Sequence, residues 1–227
     1  MQLYIIRHGQ SVNNATLDMS KHILDTPLTD VGQQQAEYLA QHIANAAYEL
    51  THLYTSPMVR TLQTTQPVMK VLDLSPQVWV DIHEHGGVVI HRNGGYVNGP
   101  GLTHDEMRGQ FPDYDVPEAV TEQGWWHRES GAESLASCHA RGQKVAAVLL
   151  ERARLLAENG AEERIALVSH GTFADGLIKA ILDKPANGMY YGHNNTGITR
   201  IDYYEGGRPE LRFTNRTEHL PPDLLTR

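Results

Sequence analysis

The chain of 227 residues has a single cysteine, Cys138. An internal disulfide is excluded, and a reducing, cytoplasmic setting is expected. No apolar run is long enough to cross a bilayer. The first residues read as a strand, not as a basic stretch followed by a long apolar core, so no secretory leader is expected. Positive charge is scarce as well: 19 Lys and Arg against 27 Asp and Glu leave a formal charge of −8. That argues against nucleic acid or an acidic membrane as partner, and an anionic substrate then needs a local basic pocket. No G-x-G-x-x-G follows the first apolar run, which sets aside a dinucleotide-dependent oxidoreductase. Despite 13 histidines, neither H-E-x-x-H nor a Cys/His ligand spacing occurs, so no metal and no cofactor is expected. Repeats, heptads and low-complexity segments are absent too.

What is present begins with Leu3-Tyr4-Ile5-Ile6 followed by Arg7-His8-Gly9, a strand ending in a cation and an imidazole. A second apolar run, Ile165-Ala166-Leu167-Val168, ends in Ser169-His170-Gly171. Between them strand and helix patterns alternate. After a polar loop from Gln10 to Pro27, Thr29 reads as an N-cap, with Ala36, Leu39, Ala40, Ile43, Ala44 and Ala47 on one helical face. Leu53-Tyr54-Thr55 is a short strand. Ser56 is placed to cap the next helix with Pro57 at its first position, and Met58, Leu62, Val68 and Met69 form its apolar side. Val78-Trp79-Val80 is a third strand. A helix over 133–158 should turn Leu135, Cys138, Val145, Val148, Leu149, Leu155 and Leu156 to the core. A helix over 172–182 and strands at 197–204 and 210–214 complete the pattern.

Residues 86–131 break this rhythm with nine of the 20 glycines. Apart from a helix near 103–110 the segment reads as irregular, and a long irregular insertion in a compact domain is usually functional. Trp125 and Trp126 suggest a small core of its own, so it is expected to form a lid. The whole predicts one domain over 1–227, a three-layer α/β/α sandwich with a mostly parallel central sheet and an irregular lid insertion. In such folds ligands bind beyond the carboxyl ends of the strands. Arg7, His8, Arg60, Glu84 and His170 all follow predicted strands, and a common rim would bring them together.

The chemistry of such a rim is phosphoryl transfer. A neutral imidazole can attack phosphorus and form a phosphohistidine, and neighbouring cations disfavour its charged form. Arg7 and Arg60 would do this while gripping phosphoryl oxygens. With His170 they could replace a metal ion. The leaving alkoxide needs a proton from a carboxylic acid such as Glu84. Backbone N–H groups at Gly171 and Thr172, where a helix begins, would face the same anion.

Arg7-His8-Gly9-Gln10-Ser11-Val12-Asn13-Asn14 resembles the RHGxSxxN signature of the histidine phosphatase superfamily, in the branch (branch 1) that includes cofactor-dependent phosphoglycerate mutases. Leu28-Thr29-Asp30-Val31-Gly32-Gln33-Gln34-Gln35-Ala36 is similar to its LTxxGxxQA block. Ser56-Pro57-Met58-Val59-Arg60-Thr61-Leu62-Gln63-Thr64 is similar to SPLxRAxQT. Ser169-His170-Gly171 matches the second histidine, and His83-Glu84-His85-Gly86-Gly87 stands where the family carries its acid. The resemblance implies that His8 is the nucleophile and Glu84 the acid/base. It also implies that Arg7, Asn14, Arg60 and His170 hold the phosphate. Asp81 is the alternative acid. Mutases of the family carry an Arg-Tyr-Gly element, a lysine and paired arginines after the acid. Residues 85–131 have no lysine and only the isolated Arg92, Arg108 and Arg128. A metal-independent phosphatase acting on small phosphomonoesters is therefore expected. A phosphoglycerate mutase and a non-catalytic phospho-ligand or protein-binding relative are the alternatives, and a homodimer is left open. Glu133 reads equally as a substrate contact or as a carboxylate favoured by a helix dipole, and Cys138 as a buried filler.

Overall fold

The two apolar runs that end in His-Gly lie side by side. In the computed structural model, which describes every residue except 47 and 127–130, they form parallel strands with Arg7 opposite Ser169. In chain order the elements are β1 (Gln2–Arg7), α1 (Val12–Ala15), α2 (Asp30–Asn45), β2 (His52–Thr55), α3 (Val59–Leu72) and β3 (Gln77–Val78). Then follow β4 (Val89–Arg92), β5 (Gly95–Asn98), α4 (His104–Gln110), α5 (Leu135–Glu158), β6 (Arg164–Ser169), α6 (Gly171–Ile181), β7 (Ile198–Tyr203) and β8 (Pro209–Arg216). The main sheet runs β3-β2-β6-β1-β7-β8. Its first four strands are parallel, β7 runs antiparallel to β1, and β8 runs antiparallel to β7.

Side-chain alternation makes this a three-layer α/β arrangement. Leu3, Ile5, Ile165 and Leu167 pack on one face against α5 and α6 through Cys138, Val145, Leu149, Phe173 and Leu177. Tyr4, Ile6, Ala166 and Val168 pack on the other against α2 and α3 through Leu39, Ile43 and Val68. Strands covered on both faces read as continuous apolar runs, which is why β1 and β6 were plain in the sequence. Each large aliphatic buried this way contributes about 1.5–3 kcal/mol.

Several expectations change. The polar loop holds α1 and a short 3₁₀ turn at Met19–Lys21. The third strand stops at Val78, and Val80–Ile82 is a 3₁₀ turn that bends the chain toward the rim. The helix after β2 starts at Val59, two residues past Pro57, with Met58 extended before it. The Val59 N–H is capped from afar by the Asp25 carboxylate at 3.0 Å. On α5, Leu135, Val148 and Leu155 are exposed, and the inner face is Cys138, Arg141, Gly142, Val145, Ala146, Leu149 and Ala153. The cause is a close helix crossing: a Cβ on Gly142 would lie 3.2 Å from the Gly176 carbonyl carbon, so small residues must face α6. On α2, Ala44 is exposed, and Ala47 lies outside the described residues.

The described part of the 86–131 segment holds more regular structure than its composition suggests. It contains the β4–β5 hairpin and α4, whose Thr103 and Glu106 form a reciprocal capping box. Trp125, Trp126, Met107, Phe111, Tyr114 and Val120 form one apolar cluster with Met58 and Leu62 of the main body. Gly87, at φ 76°, is needed here because a Cβ would strike the Trp126 ring at 2.2 Å.

Candidate active site

The rim is assembled from backbone anchors. The His8 N–H bonds to the Ser169 carbonyl (3.0 Å), so the two His-Gly ends are tied directly. The Gly9 N–H donates to Thr64 Oγ1 (3.0 Å) and the Gln10 N–H to Gln35 Oε1 (2.7 Å). Gln63 Oε1 accepts the Leu28 N–H at 2.8 Å. The polar residues of the second and third motif blocks thus hold the nucleophile loop, a task their helical pattern does not reveal. Gly9 and Gly32 let α2 approach this loop, since a Cβ on Gly9 would meet the Gly32 carbonyl oxygen at 2.6 Å.

His8 is almost wholly buried. Its Nδ1 lies 2.6 Å from the Gly9 carbonyl, which can only accept, so Nδ1 carries the proton. Nε2 therefore presents its lone pair and accepts from Arg60 Nε at 3.1 Å. Burial, then Arg60 and Arg7, push the imidazole well below its ordinary range, so it is neutral at neutral pH. Arg7 reaches the same place, with one guanidinium nitrogen donating to the His193 carbonyl (2.7 Å) and its buried Nε without a partner among the described residues.

Glu84 accepts from the backbone N–H groups of His85 (2.8 Å) and Phe173 (3.0 Å) through Oε1, and of Thr172 (3.3 Å) through Oε2. The first turn of α6 thus serves a carboxylate of the protein, which such a terminus favours. Asp81 is exposed and off the cavity wall, while Glu84 is on it.

These groups surround a cavity of about 230 Å³ lined by Arg7, His8, Asn14, Arg60 and Glu84, with Asp25 and Gly87 among the other wall residues. Asn14 Oδ1 is taken up by the Ser11 N–H (3.2 Å) and Asn195 Nδ2 (3.4 Å), so Nδ2 is what its amide can offer a ligand. Gly171 and Thr172 are not on the wall, contrary to expectation: the Thr172 N–H is engaged by Glu84, and Tyr190 bonds its side chain. His170 is also off the wall. It is fully buried with its ring centroid 5.1 Å from that of His8, its Nε2 is 2.8 Å from Ser56 Oγ, and its Nδ1 has no partner among the described residues. Burial and Arg60 hold it well below the ordinary histidine range.

Four contributors escaped the sequence reading. Asn195 Nδ2 donates to the His8 carbonyl at 3.1 Å. Ser56 holds His170, and Asp25 caps α3. Arg141 donates to the Asp81 (2.7 Å) and His83 (2.8 Å) carbonyls and forms a buried bidentate pair with Glu133. Glu133 is therefore a counter-ion for the arginine that shapes the acid loop, a role neither expectation named. Only the family block around Ser56 carried a signal for any of these. Arg92 and Arg108 are exposed and off the wall, and Arg128 lies outside the described residues.

Residues 3–217 match the family profile of the histidine phosphatase superfamily, branch 1. The chain belongs to that superfamily. It is 29% identical over 206 residues to a probable phosphoglycerate mutase GpmB of Photorhabdus laumondii, covering 89% of this chain and 85% of that protein. A phosphoserine phosphatase of Entamoeba histolytica, solved as a mutant with phosphoserine, is 26% identical with a TM-score of 0.63, covering 97% of this chain and 99% of that one. A mycobacterial glucosyl-3-phosphoglycerate phosphatase, at 22% identity, 95% and 99% coverage and a TM-score of 0.63, shares the fold. Membership, together with the likeness to the phosphoserine phosphatase, supports an enzyme of the phosphoric monoester hydrolase type. No helix among the described residues is long and apolar enough to cross a membrane.

Proposed function

We propose that the protein hydrolyses small phosphomonoesters, without a metal, through a phosphohistidine on Nε2 of His8. One observation carries this reading: a neutral His8 whose proton is committed to Gly9, so that the other nitrogen faces Arg60 with its lone pair. An arriving phosphoryl group takes over the Arg60 N–H, binds Arg7 and the Asn14 amide, and frees Nε2 to attack. The N–P bond forms as the ester P–O bond breaks, and Glu84, which takes up a proton as the phosphate dianion binds beside it, gives that proton to the departing alkoxide. Water then attacks phosphorus, Glu84 takes a proton from it, and the N–P bond breaks. His170 sits behind His8 as a buried support.

Mutase activity is the second reading, favoured by the names of the curated relatives. Against it, Arg7 and Arg60 are the only arginines or lysines on the described cavity wall. A second phosphate or a carboxylate has no cation there. The test is rapid quench with a labelled ester, where acid-labile, base-stable phosphate should be found on His8 and phosphate release should persist in excess EDTA. Efficient interconversion of 3- and 2-phosphoglycerate with little phosphate release would overturn the phosphatase reading.

A further inference from the structure

The cavity has a second carboxyl that the reaction leaves unused. Asp25 is on its wall, held at a left-handed φ of 41° in the loop after α1. Its Oδ1 is spent on the Val59 N–H (3.0 Å). Its Oδ2 is buried with no hydrogen-bond partner among the described residues, and none of their lysines or arginines forms an ion pair with it, although the Arg60 charge is felt there. The neighbouring wall residues are committed inside the protein. Asn13 bonds both backbone groups of Ile23, Ser11 Oγ accepts the Asn14 N–H, and Thr26 Oγ1 accepts the Asn13 N–H. On this wall Asp25 Oδ2 is the buried side-chain oxygen with nothing to accept. A buried acceptor left empty is costly, and a ligand donor that fills it gains accordingly.

We infer that Asp25 selects the alcohol half of the substrate, accepting a hydrogen bond from a hydroxyl or ammonium group and rejecting a second anion. The substrate class is then a phosphomonoester of a polyol or amino alcohol. This rests on the phosphatase reading, in which Arg7 and Arg60 are occupied by the phosphate. A carboxylate or second phosphate on the leaving group would meet Asp25 with no further cation on the wall, and like charges at close range repel. Burial raises Asp25 to about 6, against the opposing pull of Arg60 and the Val59 N–H, so near neutral pH the carboxylate form is available to enforce that rejection.

The test measures kcat/KM for O-phosphoethanolamine, glycerol 3-phosphate, phosphoglycolate and p-nitrophenyl phosphate in the wild type and Asp25→Asn. Asparagine keeps a carbonyl oxygen for the Val59 cap but puts an amide donor in place of the free oxygen. The wild type should favour the first two esters over phosphoglycolate by about tenfold or more, as expected for a buried polar contact. Asp25→Asn should compress that ratio about tenfold, each rate being normalised to that of p-nitrophenyl phosphate, whose leaving group offers Asp25 no donor. If Asp25→Asn fails to fold, Asp25→Ser, which retains a capping oxygen, is read the same way. An equal loss on all four substrates would reduce Asp25 to a helix cap, and a wild-type preference for phosphoglycolate would also overturn the assignment. Absence of phosphate release even from p-nitrophenyl phosphate would sink the phosphatase reading, and this inference with it.

Discussion

At the strand-end rim His8 and His170 are buried, Arg7 and Glu84 are half-buried, and each is held by a named partner: His8 by Gly9 and Arg60, His170 by Ser56, Arg7 by His193, Glu84 by three backbone N–H groups. Across the cavity the 86–131 segment is built differently. Its hairpin leaves His91, Arg92, Tyr96 and Val97 exposed, and among its described residues only Gly87, Val88 and Val89 reach the cavity wall. Its aromatic residues serve a cluster shared with α3. The rim carries the charge and the reacting atoms, and the segment carries shape. Changes at the rim should therefore act on turnover, and changes in the hairpin on substrate range.

The sharpest break of this contrast is His8→Ala against Tyr96→Ala. Loss of the nucleophile should lower kcat on the order of 10⁴-fold or more, whereas the exposed Tyr96 should shift kcat less than about threefold. Steady-state phosphate release measures both, and comparable losses would erase the distinction. Next, Glu84→Gln should slow alkyl phosphates more than aryl phosphates by a further factor of roughly 10²–10⁴, because nitrophenolate hardly needs a proton. Equal losses would remove the acid from Glu84, and Asp81, off the wall, would not inherit the role directly.

The rim also depends on a pair it does not display. Arg141→Met strips the guanidinium from buried Glu133 and from the Asp81 and His83 carbonyls, at an expected cost of about 3–5 kcal/mol in urea unfolding. A cost under about 1 kcal/mol would mean that the acid loop holds itself.

The smallest effect has the opposite sign. Asp25 rises from 3.8 to about 6 on folding. Unfolding then releases a proton between those values, and stability falls as pH rises through that window. Asp25→Asn should recover up to about 3 kcal/mol at pH 7.5 and gain nothing near pH 3.5, checked by unfolding at both. His8 and His170 act conversely: held neutral when folded, they cost stability as pH falls below the ordinary histidine value of 6.5.

Legibility in the sequence followed the range of the interactions involved. The Thr29 cap, confirmed by its bond to the Gly32 N–H at 3.1 Å, spans three residues and could be read directly. Val80 could not be placed, because its neighbourhood is bent by Arg141 from α5. Leu135, Val148 and Leu155 were misassigned because hydrophobic periodicity names an apolar stripe without saying that a glycine contact at Gly176 demands small residues there.

By itself the sequence determined the strand-helix alternation, the two His-Gly strand ends and the polarity of the rim, since each depends on side-chain period and local capping. Tertiary structure alone decided that Asn195, Arg141 and Asp25 serve the same site, and that Glu84, not the phosphate site, occupies the start of α6. Those assignments rest on hydrogen bonds between segments far apart in the chain, and no local pattern records which distant donor will meet which acceptor.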